Sequence, residues 1–230
     1  MSNVTETGTV SLQAGIADRS RRTKELVLAS LFTAIIFIMA FVPNLGYINL
    51  ILIKATTLFI PVILGAIFLG PKWGAFFGGV FGLTSFMNNT FNPSVLSFAF
   101  SPIVAYQMFG PIGILKTIYI CFVPRILIGV GAYWVYRGVR KITKGNKIMR
   151  TVALAAAGVT GALINTILVM SGIYFLYAEA YAVQNKIAEA DVFKTIMGVV
   201  FGQGIIEAIS AGIIVAVVGS ALMLATKSDK

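Results

Sequence analysis

GPKWGAFFGGVFGLTSFMNN, residues Gly70 to Asn89, places glycines at 74, 78 and 82 in an apolar run that ends in Ser85, Asn88 and Asn89. Each interior glycine in a water-exposed helix costs about 1 kcal/mol relative to alanine, so this spacing makes little sense in water. In lipid it does, because helices there associate through close backbone approach rather than hydrophobic expulsion. The composition agrees: 58% of the 230 residues are hydrophobic and 11% are charged, with mean hydropathy +0.91. Globular domains carry about 25% charged residues. The chain therefore reads as an all-α integral membrane protein.

Apolar segments run from Leu26 to Val42, Leu50 to Leu69, Trp73 to Met87, about Pro111 to Tyr136, Val152 to Tyr177 and Thr195 to Ala225. They are continuously apolar and lack the alternation of a membrane barrel, which predicts six transmembrane helices over 26–226. Residues 1–25 read as a loose polar cytoplasmic tail and 227–230 as a second short one. With both termini inside, the cytoplasmic segments hold thirteen of the 18 basic residues: Arg19, Arg21, Arg22, Lys24, Lys72, Arg137, Arg140, Lys141, Lys144, Lys147, Arg150, Lys227 and Lys230. This asymmetry follows the positive-inside rule and predicts a multi-pass plasma-membrane protein. It accounts for the formal charge of +10 through the lipid bilayer, with no nucleic acid partner. The opposite connections are predicted as a short one near Pro43 to Ile53, a long uncharged one from Asn88 to Gly110 suited to a lid or re-entrant element, and a helical extension at Ala178 to Lys194.

Polar residues inside the spans mark the candidate site. At about 100° per residue, Gly74, Gly78, Gly82, Ser85 and Asn89 share about 80° of one helix face, a seam that turns polar at its outer end. Asn88 and Asn89 need partners if buried, and a pocket opening outward would supply them, with Asn92 beyond. Asn165 lies about 21 Å above Thr151 along its helix, and Gln203 and Glu207 share a face of the last span. Glu207 is the only acid inside a span. Arg125 has two readings: a buried ion pair with Glu207 joining two helices, or a guanidinium that grips an anionic substrate group through two parallel hydrogen bonds. Lys54 can contribute to the same site or snorkel to the headgroups. With no histidine and Cys121 as the single cysteine, imidazole or multi-cysteine metal sites are excluded, no cofactor is implied and an enzyme has almost no acid–base constellation. No Walker spacing is present, so the chain cannot hydrolyse ATP alone.

FIPVILGAIFLGPKWGAFFGGVFGLTSF, FVPRILIG at 122–129, GALINTILV at 161–169 and GIIEAISAGI at 204–213 together resemble the substrate-binding (S) component of bacterial energy-coupling factor (ECF) vitamin transporters, over Leu26 to the end. Within that family the pattern is most similar to the pantothenate type. The resemblance implies six helices with a vitamin site near the outer surface, docking on a transmembrane T subunit driven by two cytoplasmic ATPases, and toppling during transport. With pantothenate as the ligand, Arg125 is predicted to bind its carboxylate, and Asn88, Asn89, Asn165, Gln203 and Glu207 to supply hydrogen bonds to its hydroxyls and amide. The family's small-residue docking pattern maps to Ala29, Ser30, Thr33 and Ala34, here Ala-x-x-x-Thr overlapped by Ser-x-x-x-Ala; Ala29, Thr33 and Ala40 share a strip that reads either as an internal seam against a neighbouring span or, as the resemblance implies, as the face that receives the T subunit. The alternatives are an S component for riboflavin, folate or thiamine, or a stand-alone secondary transporter with Glu207 coupling protons.

Overall fold

The computed structural model describes residues 3–42, 45–49, 54–143 and 146–226, excluding the side chains before residue 18 and those at 48–49 and 54–55. The first helix, α1, runs from Asn3 to Phe41. The 1–25 segment is therefore helical from Asn3, not loose. Asp18–Arg22 (3.0 Å) and Arg21–Glu25 (3.1 Å) pairs one turn apart support that conformation.

A short hairpin follows, in which β1 (Tyr47–Asn49) pairs antiparallel with β2 (Lys54–Thr56) and Tyr47 faces Thr56. Helix α2 starts only at Phe59 and ends at Leu69. This corrects the expected span from Leu50: residues 54–56 are strand, residues 50–53 lie outside the described residues, and 11 helical residues reach about 16 Å. Thr56 and Thr57 favour extended backbone, while Pro61 is tolerated in the first helical turn, where its missing N–H has no partner to lose.

Helix α3 (Pro71–Phe91) begins on the Gly70–Pro71 turn, where Gly70 takes φ 100°. The expected lid at 88–110 is largely helical: α3 runs to Phe91, followed by α4 (Ser97–Phe100) and α5 (Pro102–Phe109). Ser101 accepts the Val104 N–H at 3.5 Å and Pro102 opens α5, a polar cap followed by proline. Two long helices come next, α6 (Pro111–Ile142) and α7 (Lys147–Asn185). Helix α7 breaks step at Tyr177 (φ −141°, ψ 26°) and continues as the expected extension. A 3-10 turn (Glu189–Asp191), α8 (Val192–Val199), a π-helical turn (Val200–Gly204) and α9 (Ile205–Ala225) complete the chain.

Among the described residues, four stretches are long and apolar enough to cross a membrane: 18–41, α6, α7 and 189–225. Helix α2 is apolar but short, and α3, at 21 residues, carries glycines and amides. The glycine seam packs α3 on α6. A Cβ at Gly78 would meet the carbonyl of Arg125, one at Gly82 would lie 2.6 Å from the carbonyl oxygen of Cys121, and Gly74 faces the backbone of Gly129. Steps of four on α3 meet steps of four on an antiparallel α6, and any side chain would push the backbones apart.

Candidate functional site

Two apolar clusters divide the bundle. The basal one includes Phe77, Phe81, Ile128, Ala162 and Ala208, and the apical one Ile120, Cys121, Phe100, Val169 and Ile196. Four helices pass from one cluster to the other, and each places polar residues at the passage. These are Thr84, Ser85, Asn88 and Asn89 on α3, Arg125 on α6, Asn165 and Thr166 on α7, and Gln203 and Glu207 around the π-helical turn and the start of α9. Side chains far apart in sequence thus form one polar layer, and a π-helical turn often marks such a functional position.

Arg125 is 4% exposed. Its place follows from FVPRILIG: Pro124 has no N–H to give the carbonyl of Ile120, one turn back. The Arg125 guanidinium takes that acceptor, Nη1 donating at 2.6 Å. The rings of Phe81 and Phe100 flank the guanidinium carbon with centroids at 5.4 and 5.1 Å. Its Nε has no hydrogen-bond partner among the described residues. Among the described residues Arg125 and Glu207 form no ion pair.

Glu207 is held differently. It accepts from Gln203 Nε2 at 3.1 Å, from Thr166 Oγ1 at 3.4 Å and from the backbone N–H of Thr56 at 3.4 Å. The last bond ties the hairpin to α9. On the facing strand, the Tyr47 hydroxyl lies close to Thr84, Ser85 and Arg125 but makes no hydrogen bond of good geometry among the described residues. Asn165, 6% exposed, likewise has an unpartnered Oδ1. Buried polar atoms are satisfied in the great majority of cases, so a guanidinium Nε, a phenol and an amide oxygen left open in one layer point to a ligand.

The remaining expected residues have surroundings of their own. Asn88 Nδ2 donates to the carbonyl of Ala40 at 3.2 Å. Asn89 donates to the Ser85 carbonyl at 2.9 Å and accepts from Ser94 and Ser97 at 3.4 Å each, which pins α3 to the start of α4. Asn92 is exposed at the end of α3. Lys54 stands opposite Asn49 in the hairpin, its side chain outside the described ones. The α1 strip also divides: Ala29 and Ala40 are buried at 4% and 3%, whereas Ser30 and Ala34 are exposed. Thr33, half-buried, lines with Ser30, Ala34, Phe37, Trp73 and Phe76 a surface groove of about 430 Å³.

Tyr47, Thr56 and Thr166 were not singled out by sequence. Thr166 beside Asn165 was a readable signal, a polar pair in an apolar run. Tyr47 and Thr56 carried none, because their roles depend on the hairpin. As for what the layer can bind, a guanidinium with open N–H groups between two aromatic faces suits a carboxylate, and the open Asn165 oxygen and Tyr47 hydroxyl suit hydroxyl or amide groups. Among the described residues no three His, Cys, Asp or Glu side chains gather to hold a metal.

Residues 24–219 match the family model described as ECF transporter, substrate-specific component. The chain is 30% identical over 167 residues to the pantothenic acid transporter PanT of Lactococcus lactis subsp. cremoris, covering 69% of this chain and 79% of that protein. It is 29% identical over 214 residues to the pantothenate transporter PanT of Leuconostoc mesenteroides subsp. mesenteroides, covering 89% of this chain and 94% of that protein.

Proposed function

The chain belongs to the ECF transporter substrate-specific component family, and from that premise we propose that it is the pantothenate-capturing subunit of a multi-subunit, ATP-driven importer in the bacterial plasma membrane. Six spans and two cytoplasmic termini are part of this reading, supported by the distribution of lysine and arginine. Hydrolysis of ATP belongs to two partner ATPases, reached through a T subunit.

The observation that carries the proposal is the open Nε of Arg125. Nη1 is held by Ile120, so the Nε edge is left to form a side-on fork with a carboxylate. Burial between Phe81 and Phe100 strengthens such a bond, because water does not compete for it. Asn165 and Tyr47 then take the hydroxyl and amide groups of pantothenate, while Glu207 and Gln203 hold the hairpin and the π-helical turn against the ligand. Asn89 and Asn92 stay outside this set.

Isothermal titration of the purified subunit tests it. Pantothenate should bind the wild type, and Arg125→Lys, which keeps the charge without the fork, should bind on the order of tenfold more weakly or worse. Unchanged affinity in a folded Arg125→Ala would end the assignment. Tighter binding of riboflavin, folate or thiamine than of pantothenate would keep the family role and replace the vitamin.

A further inference from the structure

The basal end of the bundle holds a second feature that vitamin capture does not use. A cavity of about 1170 Å³ opens between α1, the end of α2, the end of α6, the start of α7 and the end of α9. Arg21, Arg137, Arg140, Lys141 and Arg150 line it; Glu25, the one acid among the described lining residues, pairs with Arg21 at 3.1 Å. Topology alone asks only that basic residues flank the spans on one side. It does not ask them to converge on one concavity. Here Arg137 lies over the Tyr133 ring at 5.8 Å, and Arg140 and Lys141 follow in the last turn of α6. Arg137, Arg140 and Lys141 bring like charges together at the end of α6, which favours an anion among them.

Part of the lining is apolar. Ile67, Phe68 and Leu69 from the end of α2 and Trp134 from α6 complete the cavity. Basic and apolar side chains lining one cavity suit an amphiphile with a phosphate head. The volume exceeds the roughly 300–1,000 Å³ of common small-molecule sites and leaves room for a headgroup with the start of its chains. Basic pockets between helices on the cytoplasmic side are a recurrent way of holding anionic lipid headgroups.

We propose that this cavity binds the phosphate headgroup of an anionic phospholipid of the cytoplasmic leaflet. The cytoplasmic placement rests on the topology of the functional reading; the chemistry of the cavity does not. Lipid binding in detergent can therefore succeed or fail independently of pantothenate binding.

The test is thermal unfolding of the full-length subunit in neutral detergent, titrated with short-chain phosphatidylglycerol, phosphatidylcholine or inorganic phosphate. Phosphatidylglycerol should raise Tm by about 5 °C or more at saturation, and phosphatidylcholine should not. Arg137→Gln/Arg140→Gln should weaken the phosphatidylglycerol effect by about tenfold or more in concentration. Arg19→Gln/Lys24→Gln, which removes as much charge from helix α1 outside the cavity, should leave it in place. An equal rise with inorganic phosphate would keep the anion site and make its ligand a soluble phosphate. No selective rise, or an equal loss in both double variants, would overturn the proposal, the latter by tracing the effect to diffuse surface charge.

Discussion

Arg125 donates from Nη1 to the carbonyl oxygen of Ile120 at 2.6 Å, filling the acceptor that Pro124 leaves open within α6. One proline thus creates a backbone acceptor and places a guanidinium on it one residue later. That single bond fixes which edge of Arg125 remains free, and the other half of the socket comes from Phe81 and Phe100.

Pro124→Ala restores an N–H that competes with Arg125 for the Ile120 carbonyl. Removing an interior proline should not lower Tm, since proline in a helix interior costs about 3 kcal/mol relative to alanine. Pantothenate affinity should nevertheless fall by about fivefold or more, as the guanidinium loses its anchor. Titration calorimetry beside a melting curve checks both, and full affinity with raised Tm would show that the anchor is dispensable.

Gly78 and Gly79 are neighbours with opposite surroundings. A methyl at 78 meets the Arg125 carbonyl, whereas one at 79 finds nothing within 4 Å. Gly78→Ala should overpack the α3–α6 seam by about 1–3 kcal/mol and lower Tm by several degrees. It should also shift Arg125 and weaken pantothenate binding, while Gly79→Ala matches or exceeds wild-type stability. Equal melting of the two variants would mean that the helices can part there without loss.

On α1 the buried and exposed small residues separate two effects. Ala29→Trp fills a site 4% exposed and should reduce thermal stability and pantothenate binding together. Ala34 faces outward beside the groove with Trp73 and Phe76. Ala34→Trp should keep affinity within about twofold while abolishing copurification with the T subunit, since docking in lipid depends on close approach. Copurification at wild-type yield would move the docking face elsewhere.

Glu207 joins the hairpin to α9 through the Thr56 N–H. Losing a charged acceptor for three donors removes bonds of about 1.5–3 kcal/mol each at most, so Glu207→Ala should speed pantothenate release by on the order of tenfold, with Glu207→Gln in between. Stopped-flow release measures this. Pantothenate uptake that persists without the ATPase partners and disappears in Glu207→Gln would instead make Glu207 the proton carrier of a self-sufficient transporter.

Several of these features were legible before any coordinates. Hydropathy and charge named the solvent, because 58% hydrophobic and 11% charged residues lie far from the globular norm of about 25% charged. The four-residue glycine spacing announced a close helix contact, because helical period alone puts 74, 78 and 82 on one face. Arg125, Asn165 and Glu207 stood out because burying such groups in lipid is costly without a partner.

Which partner each found was decided only by the tertiary structure. Arg125 and Glu207 looked complementary in sequence, yet one is held by a carbonyl five residues away and the other by Thr56, 151 residues away. The hairpin that brings Tyr47 and Thr56 to the polar layer interrupts an apolar run that hydropathy reads as helix, because a strand pair is defined by its partner and not by its own period. The same holds for α1: its small residues could be counted along the chain, but whether Ala29 or Ala34 faced the bundle depended on how the helix was rotated against α2 and α3, and rotation is set by packing, which no single helix contains.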